Sequence, residues 1–115
     1  MVFDYTISNQ GHYAILHLSG NLIEKGQAIS LLEKVEELAK MNCNKLAIDL
    51  EKLIYMNSSG LNTLIQLLTK SRVAGGEAVL YNMNKKINEL ILITKLHTLF
   101  KVADNQTDAL ALLGV

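Results

Sequence analysis

The chain has no proline, no tryptophan and one cysteine among 115 residues, and neither charge is in excess: 11 Lys plus Arg stand against 11 Asp plus Glu. Each shortage excludes something. A lone Cys43 allows no intramolecular disulfide, so a reducing, cytoplasmic setting is the plain expectation. A formal net charge of zero argues against nonspecific nucleic-acid binding, which rests on Lys and Arg neutralising phosphates. Lys85-Lys86 is the only basic pair that stands out. No apolar run approaches the roughly 18 residues a membrane span needs. Met1-Val2-Phe3-Asp4 lacks the basic start and apolar stretch of a secretory signal. The missing proline fits a chain that spends most of its length in helices and strands, where proline is costly. What is there points the same way. Hydrophobic content of 50% is too high for disorder. A chain of this length buries about two-thirds of its unfolded surface, so residues 1–115 are expected to form one domain without disulfide or metal.

Two periodicities alternate along the chain. Phe3 to Ser8 and Tyr13 to Ser19 read as strands, and Asn9-Gln10-Gly11-His12 supplies turn chemistry between them, which predicts a hairpin. Gly20-Asn21 breaks the pattern. From Gln27 to Lys40, Ile29, Leu32, Val35, Leu38 and Ala39 recur at the helical period. Lys45 to Leu50 is a short apolar run ending in Asp49-Leu50, expected as a strand buried on both faces. Ser58 to Ala74 is helical again, with Leu61, Leu64, Ile65 and Leu68 aligned, and Gly75-Gly76 stops it. Ala78 to Tyr81 is a strand. Ile87, Leu90, Ile91 and Thr94 mark a helix, Leu99 to Val102 a short strand, and Thr107 to Leu113 a last helix. The order ββαβαβαβα predicts an α/β fold: a mixed sheet of four or five strands, mostly parallel, with an antiparallel N-terminal hairpin and about four helices.

Chemistry-bearing clusters are few. His12, His17 and His97 are scattered and lack a cysteine partner, so no metal site is expected. Neither phosphate-binding glycine motif occurs, and no cofactor is expected. Cys43 has no activating neighbour and reads as inert. Asp49 and Glu51 end a buried strand, where ligands collect in α/β folds. Leu50 separates them, they are expected to point to opposite faces, and no histidine partner is visible for either. They read as a solvated strand end or as hydrogen-bond acceptors, and a small enzyme built on them is the least supported function.

One segment rises above this background: Tyr55-Met56-Asn57-Ser58-Ser59-Gly60-Leu61, between a strand and a helix. Asn57, Ser58 and Ser59 all suit a helix N-cap. A hydroxyl there also sits at the positive end of the helix dipole, where free N–H groups can receive a phosphate. Phosphorylation would add about −1.5 to −2 charges at that point. Gly60 is expected to leave room for a kinase at Ser58.

At these residues the chain resembles STAS domains, specifically the bacterial anti-sigma factor antagonists. The resemblance runs from Leu18-Ser19-Gly20-Asn21-Leu22 through Asp49-Leu50-Glu51-Lys52-Leu53 and Met56-Asn57-Ser58-Ser59-Gly60-Leu61, then Gly75-Gly76 and Asp108-Ala109-Leu110. It implies a bacterial, cytoplasmic regulator of transcription that is not an enzyme. Such a protein binds an anti-sigma factor that is also a serine kinase and so frees a sigma factor. The resemblance places the phosphorylated serine at Ser58, with Ser59 the neighbouring hydroxyl. Phosphorylation blocks binding, and a metal-dependent serine phosphatase restores it. The partner surface it implies comprises Asn21, Ile23, Glu24, Asn57, Ser58, Ser59, Gly60 and Leu61. A second reading is a constitutive STAS interaction module, stressosome-like or transporter-associated, in which Ser58 only caps a helix. Two departures stand out. Asn57 replaces the family aspartate, and Gly20-Asn21-Leu22-Ile23 replaces Gly-Glu-Leu-Asp, removing both acidic positions.

Overall fold

The N-terminal hairpin closes through side-chain as well as main-chain bonds. Asn9 Oδ1 accepts from Gly11 N–H at 2.9 Å, and Gln10 N–H donates to the Tyr13 carbonyl at 2.9 Å. The computed structural model describes residues 2–115. Its elements are β1 (Asp4–Asn9), β2 (Tyr13–Leu22), α1 (Ile29–Lys40) after a 3-10 turn at Lys25–Ala28, β3 (Lys45–Met56), α2 (Ser58–Val73), β4 (Glu77–Tyr81), α3 (Lys85–Ile93), a second 3-10 turn at Leu96–Thr98, β5 (Lys101–Ala103) and α4 (Gln106–Leu113). The five strands lie in sequence order in one sheet. β1 and β2 pair antiparallel, and the other three pairings are parallel. The expected α/β class, mixed sheet and four helices are all present.

Alternation along the strands assigns the helices to faces. Leu16, Leu18, Leu46, Ile48, Leu50 and Leu80 turn to one side and meet Leu31, Val35, Leu64, Leu67, Ile87 and Ile91 of α1, α2 and α3. Ile15, Ala47, Val79 and Tyr81 turn to the other and meet Ala109 and Leu113 of α4. β3 is therefore buried on both faces along Leu46-Ala47-Ile48, as its unbroken apolar run predicts. Asparagine caps three of the four helices. Asn57, Asn84 and Asn105 each accept a hydrogen bond from the backbone N–H three residues on.

Three expectations need correction. Gly20-Asn21 does not end β2, which runs on to Leu22. Gly20 sits at φ +80°, and the Cβ of any other residue would lie 2.2 Å from the Val2 carbonyl oxygen. The glycine is thus a crossing point within the strand. β3 likewise extends beyond Leu50 to Met56, and its pairing with β2 slips between His17 and Ser19 and again between Gly20 and Asn21. Each slip places an extra β3 residue against β2, a bulge. Finally, Ile29 is 57% exposed because α1 begins there, and Leu31 takes the core position.

Tyr81 is fully buried on the α4 side and donates its hydroxyl to Gln106 Oε1 at 3.3 Å. Burial pushes its phenol above the ordinary range, and the Asp49 and Glu51 carboxylates push it the same way. An unfolded tyrosine loses its proton near pH ~10, whereas the folded one keeps it longer. Above that pH the folded state holds more protons, so stability falls as pH rises, by up to about 1.4 kcal/mol per pH unit. Urea unfolding between about pH 9 and about pH 11 should show a shallower decline in Tyr81→Phe than in the parent chain.

Candidate functional site at the head of α2

The end of β2, the end of β3 and the start of α2 converge on one asparagine. Asn57 Oδ1 accepts from Gly60 N–H at 3.2 Å, which makes Asn57 the N-cap. Its Nδ2 donates to the Ile23 carbonyl at 2.8 Å, tying the helix head to the loop after β2. That loop is held from its other side as well. Gln27 Oε1 accepts from both Ile23 N–H at 3.0 Å and Glu24 N–H at 2.9 Å, and Glu24 and Gln27 together form a capping box around the 3-10 turn. Gln27 was not among the expected site residues. The Glu24-x-x-Gln27 spacing is the signal that could have found it.

With the capping done by Asn57, the side chain of Ser58 is released from structural duty. Ser58 is exposed and is the first residue of α2. Ser59 is half-buried, and its carbonyl accepts from Thr63 Oγ1 at 3.2 Å. No acidic residue lies in the first turn of α2, so no like charge within that turn opposes a negative group at Ser58. A stability contrast follows. Asn57→Ala should cost about 1–2 kcal/mol, because it removes the cap and the bond to Ile23. Ser58→Ala should stay within about 0.5 kcal/mol of the parent. Urea midpoints of the two variants check this.

The remaining expected residues divide between surface and support. Ile23 is 40% exposed, Glu24 is exposed and Asn21 is half-buried at the end of β2. Leu61 packs against the core, and Gly60 is buried. The room expected beside Gly60 for a kinase is not there. A Cβ on Gly60 would lie 2.4 Å from the Leu22 carbonyl oxygen and 2.6 Å from Met56 Cβ. Gly60 instead lets the helix head settle on the end of β2. Beside this head a groove of about 280 Å³ runs between α1 and α2, with Ile29 and Leu32 along it and Lys25, Glu33, Glu36 and Lys70 around it. Lys70 pairs with Glu36 across the groove and holds that carboxyl below its usual range.

Asp49 and Glu51 were expected to diverge. Strand residues two apart share a face, and both line one cleft on the sheet face that α4 leaves open. The histidine partner invisible in the spacing is present too: His17 lies opposite Asp49 in the strand register, with Nδ1 at 2.8 Å from Oδ2. Asp49 Oδ1 accepts from Glu51 N–H at 3.0 Å and from Asn82 Nδ2 at 3.2 Å. Ser19 shares this cleft, but its hydroxyl donates to the Asp4 carbonyl at 3.3 Å rather than to His17. The carboxylate is thus engaged as a clamp joining β2, the β3 bulge and the end of β4. Cys43 is buried, and burial raises its thiol above the ordinary range, which disfavours the reactive thiolate. Among the described residues, no group of three or more His, Cys, Asp or Glu side chains is placed to hold a metal ion. Nor is any helix long and apolar enough to cross a membrane.

A mixed five-stranded sheet with an asparagine-capped helix and an exposed serine at a β–α junction defines a small α/β domain. The chain belongs to the STAS domain family, whose model matches residues 5–109. It is 26% identical over 101 residues to an anti-sigma F factor antagonist of Paenibacillus polymyxa, covering 88% of this chain and 86% of that one. Its fold matches an anti-sigma factor antagonist from Mycobacterium paratuberculosis with a TM-score of 0.79 at 18% identity, over 98% of this chain and 95% of that one. It also matches the Bacillus cell fate determinant SpoIIAA in its phosphorylated form with a TM-score of 0.72 at 14% identity, over 94% and 97% of the two chains.

Proposed function

We propose that this protein is an anti-sigma factor antagonist: it binds a cognate anti-sigma factor that is also a serine kinase, frees a sigma factor, and is switched off by phosphorylation of Ser58. The observation that carries this reading is the division of labour at the helix head. Asn57 caps the helix and Ser58 does not, so the hydroxyl is exposed and free to be modified without disturbing the fold. The likeness to an anti-sigma F factor antagonist supports the class of partner. The likeness to a fold solved in a phosphorylated form supports the kind of switch.

The docking surface in this reading is the helix head with the groove beside it. Ile23 and Ile29 supply exposed apolar area, and Lys25, Glu24 and Glu33 surround it with charge, the usual anatomy of an apolar centre within a polar rim. A serine phosphatase restores the unmodified form. The protein works as a cytoplasmic binding partner with no catalytic task of its own. Incubation with the cognate kinase-type anti-sigma factor and ATP should label the parent chain on Ser58 and leave Ser58→Ala unlabelled. Label that persists in Ser58→Ala, or no label on a chain that binds that kinase, overturns the switch. In the second case the constitutive interaction module is the reading that stands.

A further inference from the structure

We infer that the free edge of β1 is a homodimer interface, in which a second copy of the chain adds its own β1 antiparallel across a two-fold axis near Ile7. β1 is one of the two outer strands of the sheet and pairs only with β2. Every second residue of such a strand directs its N–H and C=O away from the sheet, a template for another strand. Edges are commonly blunted by lysine, proline or short length. β5, the opposite edge, is three residues long and begins with Lys101. β1 is six residues long, Asp4-Tyr5-Thr6-Ile7-Ser8-Asn9, and carries neither lysine nor proline.

What lies over this edge says what would cover it. A groove of about 480 Å³ runs between β1 and α1, lined by Tyr5, Ile7, Leu38 and Met41 with Lys34 and Glu37 on its helix side. Met41 is 63% exposed. α1 runs in the same direction as β1: Tyr5 Oη meets Ser30 Oγ at 2.5 Å near the start of both, and Cys43 Sγ approaches Asn9 Oδ1 at 3.8 Å near the end. A two-fold axis through Ile7 and perpendicular to the sheet therefore lays the two α1 helices side by side and antiparallel. Lys34 of each protomer then comes beside Glu37 of the other, because these residues are one helical turn apart on either side of the axis. The charge pattern is its own complement under that rotation, as a closed two-fold interface requires. An unrelated strand would satisfy the backbone edge but leave this pair unmatched, which is why the occupant is a second copy. The result is one continuous ten-stranded sheet, with Ile7 and Met41 of both copies closing over the seam.

Sedimentation equilibrium of the full chain, from low micromolar to millimolar concentration, tests the interface. A monomer–dimer equilibrium is expected. Lys34→Glu and Glu37→Lys should each weaken it about tenfold, and the double swap should restore it to near the parent value. Both positions are exposed on α1, so the variants should fold, which circular dichroism checks. Amide exchange of β1 should slow as concentration rises. A chain that stays monomeric to millimolar concentration overturns the inference. So does a dimer indifferent to both single swaps, or one in which β1 amides exchange at the same rate at every concentration.

Discussion

Gly60→Ala should destabilise the protein by about 2–3 kcal/mol, although in most helices the same change helps. Alanine is favoured over glycine in a helix interior by about 1 kcal/mol. Here the added methyl meets the Leu22 carbonyl oxygen at 2.4 Å and Met56 Cβ at 2.6 Å. The first of these is backbone at the end of β2, whose neighbour Ile23 is pinned by Asn57 and Gln27. It cannot swing aside as a flexible side chain could. Overpacking of this kind costs about 1–3 kcal/mol and occasionally more, enough to outweigh the helical gain. Gly26→Ala is the control, because a Cβ there meets nothing within 4 Å. It should be neutral or stabilise by up to about 1 kcal/mol through the unfolded chain. Urea unfolding of both variants checks the sign as well as the size. A neutral Gly60→Ala would show that the helix head is free to shift away from β2, and that the close seat described for it is not a constraint.

This glycine also shows where sequence reading reaches and where it stops. The order of elements was legible because each helix and strand has its own apolar period, and because Asn9-Gln10-Gly11 and Gly75-Gly76 are strong local breaks. The room expected at Gly60 is filled by Met56, four residues back, and by Leu22, whose approach no local pattern reveals because it is far away in sequence. Gly20 was read as a break for the same reason: its neighbour in space is the Val2 carbonyl, and only the fold brings that strand end across it. The pairing of His17 with Asp49 depends on the register of β2 against β3, which periodicity does not reveal. Asn57 is followed by two serines of similar capping strength, and only the angles and the bond to Gly60 N–H single it out as the cap. The site was thus visible as a segment, while the assignment of one residue to structure and the next to chemistry required coordinates.

Ser58→Glu should leave the fold intact and weaken binding to the anti-sigma factor more than a hundredfold, whereas Ser58→Ala should bind like the parent. The two halves of this prediction rest on different physics. Within the chain, a negative group at the first position of α2 faces the positive end of the helix dipole, an interaction that contributes about 0.3–1 kcal/mol of stability. No acidic side chain in that turn opposes it, so the melting temperature should hold or rise slightly. In the complex proposed for this chain, the same charge would lie within the docked surface. An unpaired charge buried there costs about 2–5 kcal/mol, and about 3 kcal/mol already exceeds a hundredfold in affinity. Covered by the partner, the charge is poorly screened, so its effect should vary little with salt. Calorimetric titration and thermal unfolding of the three chains separate these contributions. Equal affinity for Ser58→Glu and the parent would remove Ser58 from the interface. A loss shared by Ser58→Ala would mean that the hydroxyl itself makes a contact, and that the switch is not purely one of charge and bulk.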